Sequence, residues 1–324
     1  MKRIMKHSTK KGTASEGYQK ATGFRKMKKN FIRDYQLYIL CLPALIYFLV
    51  FCYFPMYGIQ IAFKDFTIGK TIMESPWVGL KHFEKFIMSY KFWDVMKNTL
   101  VISFYSLIAN FPVPIILALL LNQTPSKRFK KLVQTVTYAP HFISVVVLCG
   151  MITSFLSPST GIVNTVIKNL GGEEIFFMAS PGMWKHIYVW SGVWQGAGWG
   201  SIIYIAALSS VNPELYEAAE VDGATKLQKI LNIDIPSLFP TMVIMLIMNM
   251  GNLLNVGFQK AYLLQNSLNI SASEIINTYT YKIGLEGTQF SYSAAIGLFN
   301  TVINVILLVT ANKVSKKLQG TSLW

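Results

Sequence analysis

Seven side chains in two stretches, amides and indoles, have the types and spacing to do binding chemistry. Asn249, Asn252, Asn255 and Gln259 recur so that, on a helix turning 100° per residue, all four amides fall in one wedge about 120° wide. Trp190 and Trp194 share a helical face at i, i+4, with Gln195 adjacent. Flat rings stack on the C–H faces of a sugar, and amides exchange hydrogen bonds with its hydroxyls. In an apolar setting such amides cost free energy unless paired, so the wedge must face other helices or water. Two readings stay open: amides as glue between helices, or amides and rings lining a cargo path.

Other chemistry is absent. No G-x-x-x-x-G-K-[ST] loop cradles phosphates, no H-E-x-x-H helix or Cys/His cluster offers a metal site, and no Ser/His/Asp set has a plausible context. The expectation is therefore no catalytic residue, no metal and no cofactor on this chain; ATP, if used, must be bound elsewhere. His141 is the only ionisable group well inside an apolar run, either as a functional group or, more simply, as a neutral hydrogen-bonded side chain between helices. Without a buried acid or histidine relay, proton-coupled transport is disfavoured. A sodium-coupled carrier, which uses backbone carbonyls at broken helices, remains an alternative.

The elements that must position these groups are membrane helices. Of 324 residues, 52% are hydrophobic and 14% charged, and the charges are segregated. Uncharged runs cover residues 35–63, 98–126, 132–167, 186–213, 235–259 and 287–312, each exceeding the ~20 residues needed to cross hydrocarbon. They predict an all-α protein with six transmembrane helices. Residues 1–34 form a basic tail, with eleven Lys and Arg through Arg33 against Glu16. The tail has no apolar core, so it is no cleavable signal peptide, and the positive-inside rule explains its charge without nucleic acid. With it inside, 20 of the 30 Lys and Arg lie on the cytoplasmic side, both termini are cytoplasmic, and anionic lipid is a natural contact. Cys41, Cys52 and Cys149 fall in the spans as small apolar side chains. Residues 35–324 then make one transmembrane domain.

The longest inner interval, residues 212–236, reads as two short helices around a break. Asn212 can cap the first and Pro213 fits its first position, Asp222-Gly223 interrupts, Thr225 can cap the second, and Pro236 limits its unbent run. Within it stand Glu217-Ala218-Ala219, Gly223, and Ile233-x-Ile235-Pro236. This pattern resembles the "EAA" coupling loop of ABC-importer permeases, with Ile235 where leucine is usual. The run from Tyr53 through Phe66 resembles the polysaccharide-type permeases of the carbohydrate branch, and residues 77–86 look like an amphipathic interfacial helix that precedes the shared core.

The resemblance covers about residues 35–324 and implies a type I ABC-importer permease fold in the cytoplasmic membrane, with the coupling loop between helices 4 and 5. It implies a second, homologous permease subunit, two ATPase subunits carrying ATP and magnesium, an extracytoplasmic solute-binding protein, and an oligosaccharide or polysaccharide fragment as cargo. Glu217, Ala218, Ala219, Asp222, Gly223, Ile233 and Pro236 would make the ATPase coupling surface. Trp190, Trp194, Gln195, Asn249, Asn252 and Asn255 would line the path between spans four and five. No Lys or Arg lies in a predicted span to favour acidic sugars, although loop lysines can serve.

Overall fold

The computed structural model describes residues 31–320, 322 and 323, without the side chains of 318 and 319; most of the basic tail, residues 1–30, lies outside them. Among the described residues the architecture is helical, with no strand beyond an isolated antiparallel bridge between Lys64 and Trp77. The chain falls into two units that meet between Gly58 and Ile59.

In the first unit, helix α1 (Tyr35–Tyr47) passes through Pro43 into a π turn, Phe48–Tyr53, and then into the 3₁₀ segment Phe54–Phe63. The widened turn comes just before Pro55, where a missing N–H and the proline ring spoil regular α geometry. Apolar side chains cover α1 all round and none is buried, the pattern of a helix solvated by lipid.

The second unit is a helical bundle. After the short interfacial helix α2 (Lys81–Ile87), α3 (Phe92–Asn110) and α4 (Pro112–Asn122) form a 31-residue apolar run. The stretch expected to be the third span, with Pro140 as a kink, is bent sharply. Helix α5 (Lys127–Tyr138) gives way to a 3₁₀ turn, Ala139–Phe142, and α6 (Val145–Phe155) leaves at 97°. Pro140 cannot sustain the α ladder, and the Ser144 hydroxyl accepts from Val147 N at 3.3 Å to start a new helix.

After α7 (Ile162–Asn169) comes α8 (Pro181–Ser209), 29 residues long and packed against α3, α4 and α5. Gly198 permits that approach, since a Cβ there would sit 2.0 Å from the Thr137 carbonyl oxygen. Trp184, Val189, Val193, Tyr204 and Leu208 of α8 are buried. Helix α9 (Pro213–Val221) and α10 (Lys226–Lys229) form the elbow. A π turn, Ile230–Asp234, precedes Pro236 and leads into α11 (Ile235–Gly251), which packs on the long final helix. Between them lie the short helices α12 (Phe258–Leu263), α13 (Ile270–Ser273) and α14 (Ile276–Tyr281), and the chain closes on α15 (Phe290–Gln319).

Four helical runs among the described residues are long and apolar enough to cross a membrane: Tyr35–Phe63, Phe92–Asn122, Lys226–Gly251 and Phe290–Lys317. The bent α5–α6 pair makes five if counted as one span. Helix α8 has the length, but its composition is diluted with Gly, Ser and Trp, in keeping with its place inside the bundle.

Candidate functional site

The amide cluster lines a cavity of about 590 Å³ between α3, the start of α6, α8, the end of α11 and the start of α12. That volume is in the usual range for small-ligand sites. Gln195, Asn249, Asn252, Asn255 and Gln259 all line it, joined by Ser103, Ser106 and Asn110. The geometry that gathers them is not the single helical wedge expected from the sequence. Helix α11 ends at Gly251, Asn252 is its C-cap with φ −115° and ψ 13°, and Asn255 and Gln259 follow the break. The break is held from outside: Leu254 N donates to Asn304 Oδ1 of α15 at 3.1 Å, replacing a helical acceptor.

Several of these amides are also part of the scaffold. Gln195 Nε2 donates to the Ile143 carbonyl at 2.8 Å and so pins the α5–α6 break. Asn249 Nδ2 returns to Met245 O at 2.9 Å. Asn300 Nδ2 donates to Asn255 Oδ1 at 3.3 Å and to Asn277 Oδ1 at 3.4 Å, an interhelical amide chain. Asn255 therefore serves as glue and as wall at once.

Trp190 and Trp194 lie elsewhere. They do not line the cavity, and they are 54% and 50% exposed. Trp190 Nε1 donates to Tyr105 Oη at 2.9 Å, and Tyr105 meets His186 Nδ1 at 2.7 Å. His141 stacks on Trp199, with ring centroids 4.5 Å apart and planes within 3°, instead of lying among buried helices.

Sequence reasoning missed Lys260. It follows Gln259 directly, marks the end of an uncharged run, and turns inward on α12 to become the cavity's one charged lining residue. Only 7% exposed, it donates from Nζ to the Tyr188 carbonyl at 2.7 Å and sits 4.8 Å over the Tyr188 ring. Burial pushes its ammonium down to about 8, opposed in part by Cys149. Among the described residues no carboxylate lines this cavity.

The elbow follows its local chemistry closely. Asn212 Oδ1 accepts from Glu214 N at 3.1 Å, and Pro213 takes the first position of α9. Gly223 turns the chain at φ +73°, while Ala224 N donates to Ala219 O at 2.8 Å to close the helix end. Thr225 and Gln228 form a reciprocal capping box. Lys229 Nζ and Glu220 Oε1 bridge the two helices at 2.8 Å. Glu217, Ala218, Asp222, Gly223 and Pro236 are exposed, Ala219 and Ile233 are half-buried, and Leu215, Val221 and Leu227 show apolar surface beside them. Ile230 and Ile235 pack against the buried cluster of Ile115, Leu119, Tyr204, Leu208 and Leu238.

The unspecified position of Ile233-x-Ile235-Pro236 is Asp234, fully buried. It accepts from Tyr216 Oη at 2.5 Å, Asn122 Nδ2 at 3.2 Å and Gln123 Nε2 at 2.7 Å. These bonds tie α9, the inner end of α4 and the root of α11 together. Among the described residues no group of three His, Cys, Asp or Glu side chains is placed to hold a metal ion.

Residues 110–319 match the family described as the binding-protein-dependent transport system inner membrane component. The chain is 43% identical over 286 residues to the polygalacturonan/rhamnogalacturonan transport system permease protein YteP of Bacillus subtilis, covering 88% of this chain and 89% of that one. It is 39% identical over 292 residues to protein LplB of the same organism, covering 90% and 92%. A crystal structure of a bacterial ABC transporter involved in the import of the acidic polysaccharide alginate superposes with a TM-score of 0.84 at 40% identity, over 91% of this chain and 99% of that chain. A second structure of such a transporter, in complex with an alginate pentasaccharide-bound periplasmic protein, gives 0.83 at the same identity and coverage. A sodium-coupled carrier is not favoured by these relationships. The chain belongs to the binding-protein-dependent transport system inner membrane components, the non-catalytic, membrane-spanning permease subunits of ABC transporters, whose ATPase is a separate chain.

Proposed function

We propose that this permease forms half of the translocation path of an ATP-driven importer for oligosaccharides or polysaccharide fragments. Residues 1–34 are a cytoplasmic tail and residues 35–324 a transmembrane domain of six spans, with α8 the fourth and both termini cytoplasmic. A second, homologous permease completes the path, an extracytoplasmic binding protein delivers cargo, and two ATPase subunits bind ATP and magnesium.

The observation that carries this reading is the join between elbow and bundle. The elbow presents Glu217, Ala218, Asp222 and Gly223 to solvent while Asp234 fastens it to the spans, so a push from an ATPase moves helices that reach the cavity. Gln195, Asn249, Asn252 and Asn255 line the cavity, while Trp190 and Trp194 are exposed on α8, where a second permease would cover them. Cargo of the oligosaccharide class agrees with the named substrates of the relatives.

The test is uptake of a labelled oligosaccharide into proteoliposomes holding the assembled complex. Uptake that requires ATP and the binding protein and survives collapse of the sodium gradient supports the proposal. ATP-independent uptake, or a complex that retains its ATPases after residues 213–223 are replaced by a Gly/Ser linker, removes it.

A further inference from the structure

We infer that the cavity is built for an anionic sugar, a uronate, whose carboxylate docks on the Lys260 ammonium. The inference rests on the reading of this cavity as a cargo path and adds the chemical class of the cargo.

Three observations carry it. First, among the described residues Lys260 is the cavity's single charge and has no counter-ion there, although it is only 7% exposed. Of the other partly shielded lysines, Lys91 meets Glu274 at 2.8 Å and Lys229 meets Glu220 at 2.8 Å, whereas Lys64 donates to the Ile72 carbonyl at 2.7 Å. A buried unpaired charge is costly, and a purely packing position would be filled by an apolar side chain of similar length.

Second, the ammonium carries three donors and the Tyr188 carbonyl is the one acceptor recorded for it, leaving capacity for a carboxylate. Gly192 faces it from α8, where even a Cβ would come within 3.3 Å of Nζ, so the wall beside the ammonium is kept bare.

Third, the remaining polar lining consists of amides and hydroxyls, from Gln195, Asn249, Asn252 and Ser106, which suit sugar hydroxyls. One point charge beside neutral amides matches one carboxylate per sugar; a phosphate would call for several cations or an arginine fork. The groups packed around Lys260 are Tyr188 from α8 and Cys149 from α6, and none of the cavity residues of α3, α6, α8 and α11 is an acid. Burial holds its ammonium near 8, so it is charged at neutral pH and becomes neutral on modest alkalinisation.

The probes are tri-galacturonate and its methyl-esterified form, the same sugar with its carboxylates masked. Each is bound by equilibrium dialysis to the assembled permease–ATPase complex in nanodiscs. The acid form is expected to bind on the order of 10- to 100-fold tighter than the ester, the range of a charge-assisted hydrogen bond. Lys260→Met should abolish that preference and Lys260→Arg should keep it. Should the Met variant fail to assemble, the wild-type complex decides the matter. Acid-form affinity must fall between about pH 7 and pH 9 as Lys260 loses its proton, with ester affinity flat. Equal binding of the two forms to the wild type, or a preference that survives Lys260→Met, overturns the inference while leaving the cargo path standing. Failure of both forms to bind the wild type removes the cargo-path reading and the inference with it.

Discussion

Removing the Tyr216 hydroxyl tests whether the elbow is fastened where the structure fastens it. Tyr216→Phe keeps the ring in its half-buried seat and deletes two hydrogen bonds, the 2.5 Å donation to Asp234 and the longer 3.3 Å bond that Tyr216 Oη accepts from Asn122 Nδ2. Burial, and then the bond to Asp234, push the Tyr216 phenol up to about 12, so the hydroxyl is protonated and donating at any physiological pH. A hydrogen bond to a charged acceptor is worth about 1.5–3 kcal/mol, more when the acceptor is left buried. Asp234 is at 0% exposure and retains Asn122 and Gln123 as donors, so the lower half of that range applies. At 1.4 kcal/mol per tenfold, the opening equilibrium of the elbow should shift by roughly 10- to 40-fold.

Hydrogen exchange of the backbone amides of α9 and α10, followed in the assembled complex, reads that shift directly as faster exchange. Asp234→Asn closes a double-mutant cycle: if the two side chains act through one bond, the double variant opens little more than the worse single. Exchange over α9 unchanged within twofold in Tyr216→Phe, or strict additivity with Asp234→Asn, would refute the lock. Cargo-stimulated ATP hydrolysis should become poorly coupled to uptake in the same variants, because the push is spent in the elbow.

Other outcomes follow from the same geometry. Gly223→Asp places a side chain at φ +73°, a left-handed position costing about 1–2 kcal/mol for most residues, and adds an acid to the exposed face; it should leave the permease in the membrane but reduce ATPase co-purification. Reporter fusions after Arg33, Gln123, Ala224 and Gln319 should all report cytoplasm, and an external Ala224 would end the coupling role of the elbow. Gln195→Ala and Asn252→Ala should lower uptake or change cargo preference with ATPase assembly intact, since both line the cavity. Trp194→Ala should lower uptake as well, on the proposal that a second permease covers its exposed ring; normal uptake would assign that ring to lipid.

The elbow was legible in the sequence because its determinants are local. A cap needs only Asn212 or Thr225 beside its helix, and the turn needs only Gly223, so residue type and order suffice. The cavity was legible in membership and misjudged in form. Asn249, Asn252, Asn255 and Gln259 do converge, but across a helix end that Asn304, some fifty residues onward, braces by accepting from Leu254 N. Periodicity assumes that the helix continues, and nothing within residues 249–259 reveals an acceptor arriving from α15. Likewise Trp190 and Trp194 share a face by spacing, but spacing does not say which neighbour that face meets.

Charge was the most misleading signal, for a physical reason. Counting treats a lysine or aspartate at the edge of an apolar run as a marker of water, because an isolated charge in hydrocarbon is expensive. Asp234 stands at one such edge and is wholly buried, since Asn122 and Gln123, more than a hundred residues earlier in the chain, bring it donors. Lys260 stands at another and is drawn inward because the chain after α11 folds back onto α8 instead of leaving the bundle, with Trp184 Nε1 holding the Leu264 carbonyl at 2.9 Å. The edge rule fails where a partner or a returning segment replaces water. In this chain those places are the join between elbow and spans and the wall of the cavity, so the charges that hydropathy sets aside as boundaries are the ones to mutate first.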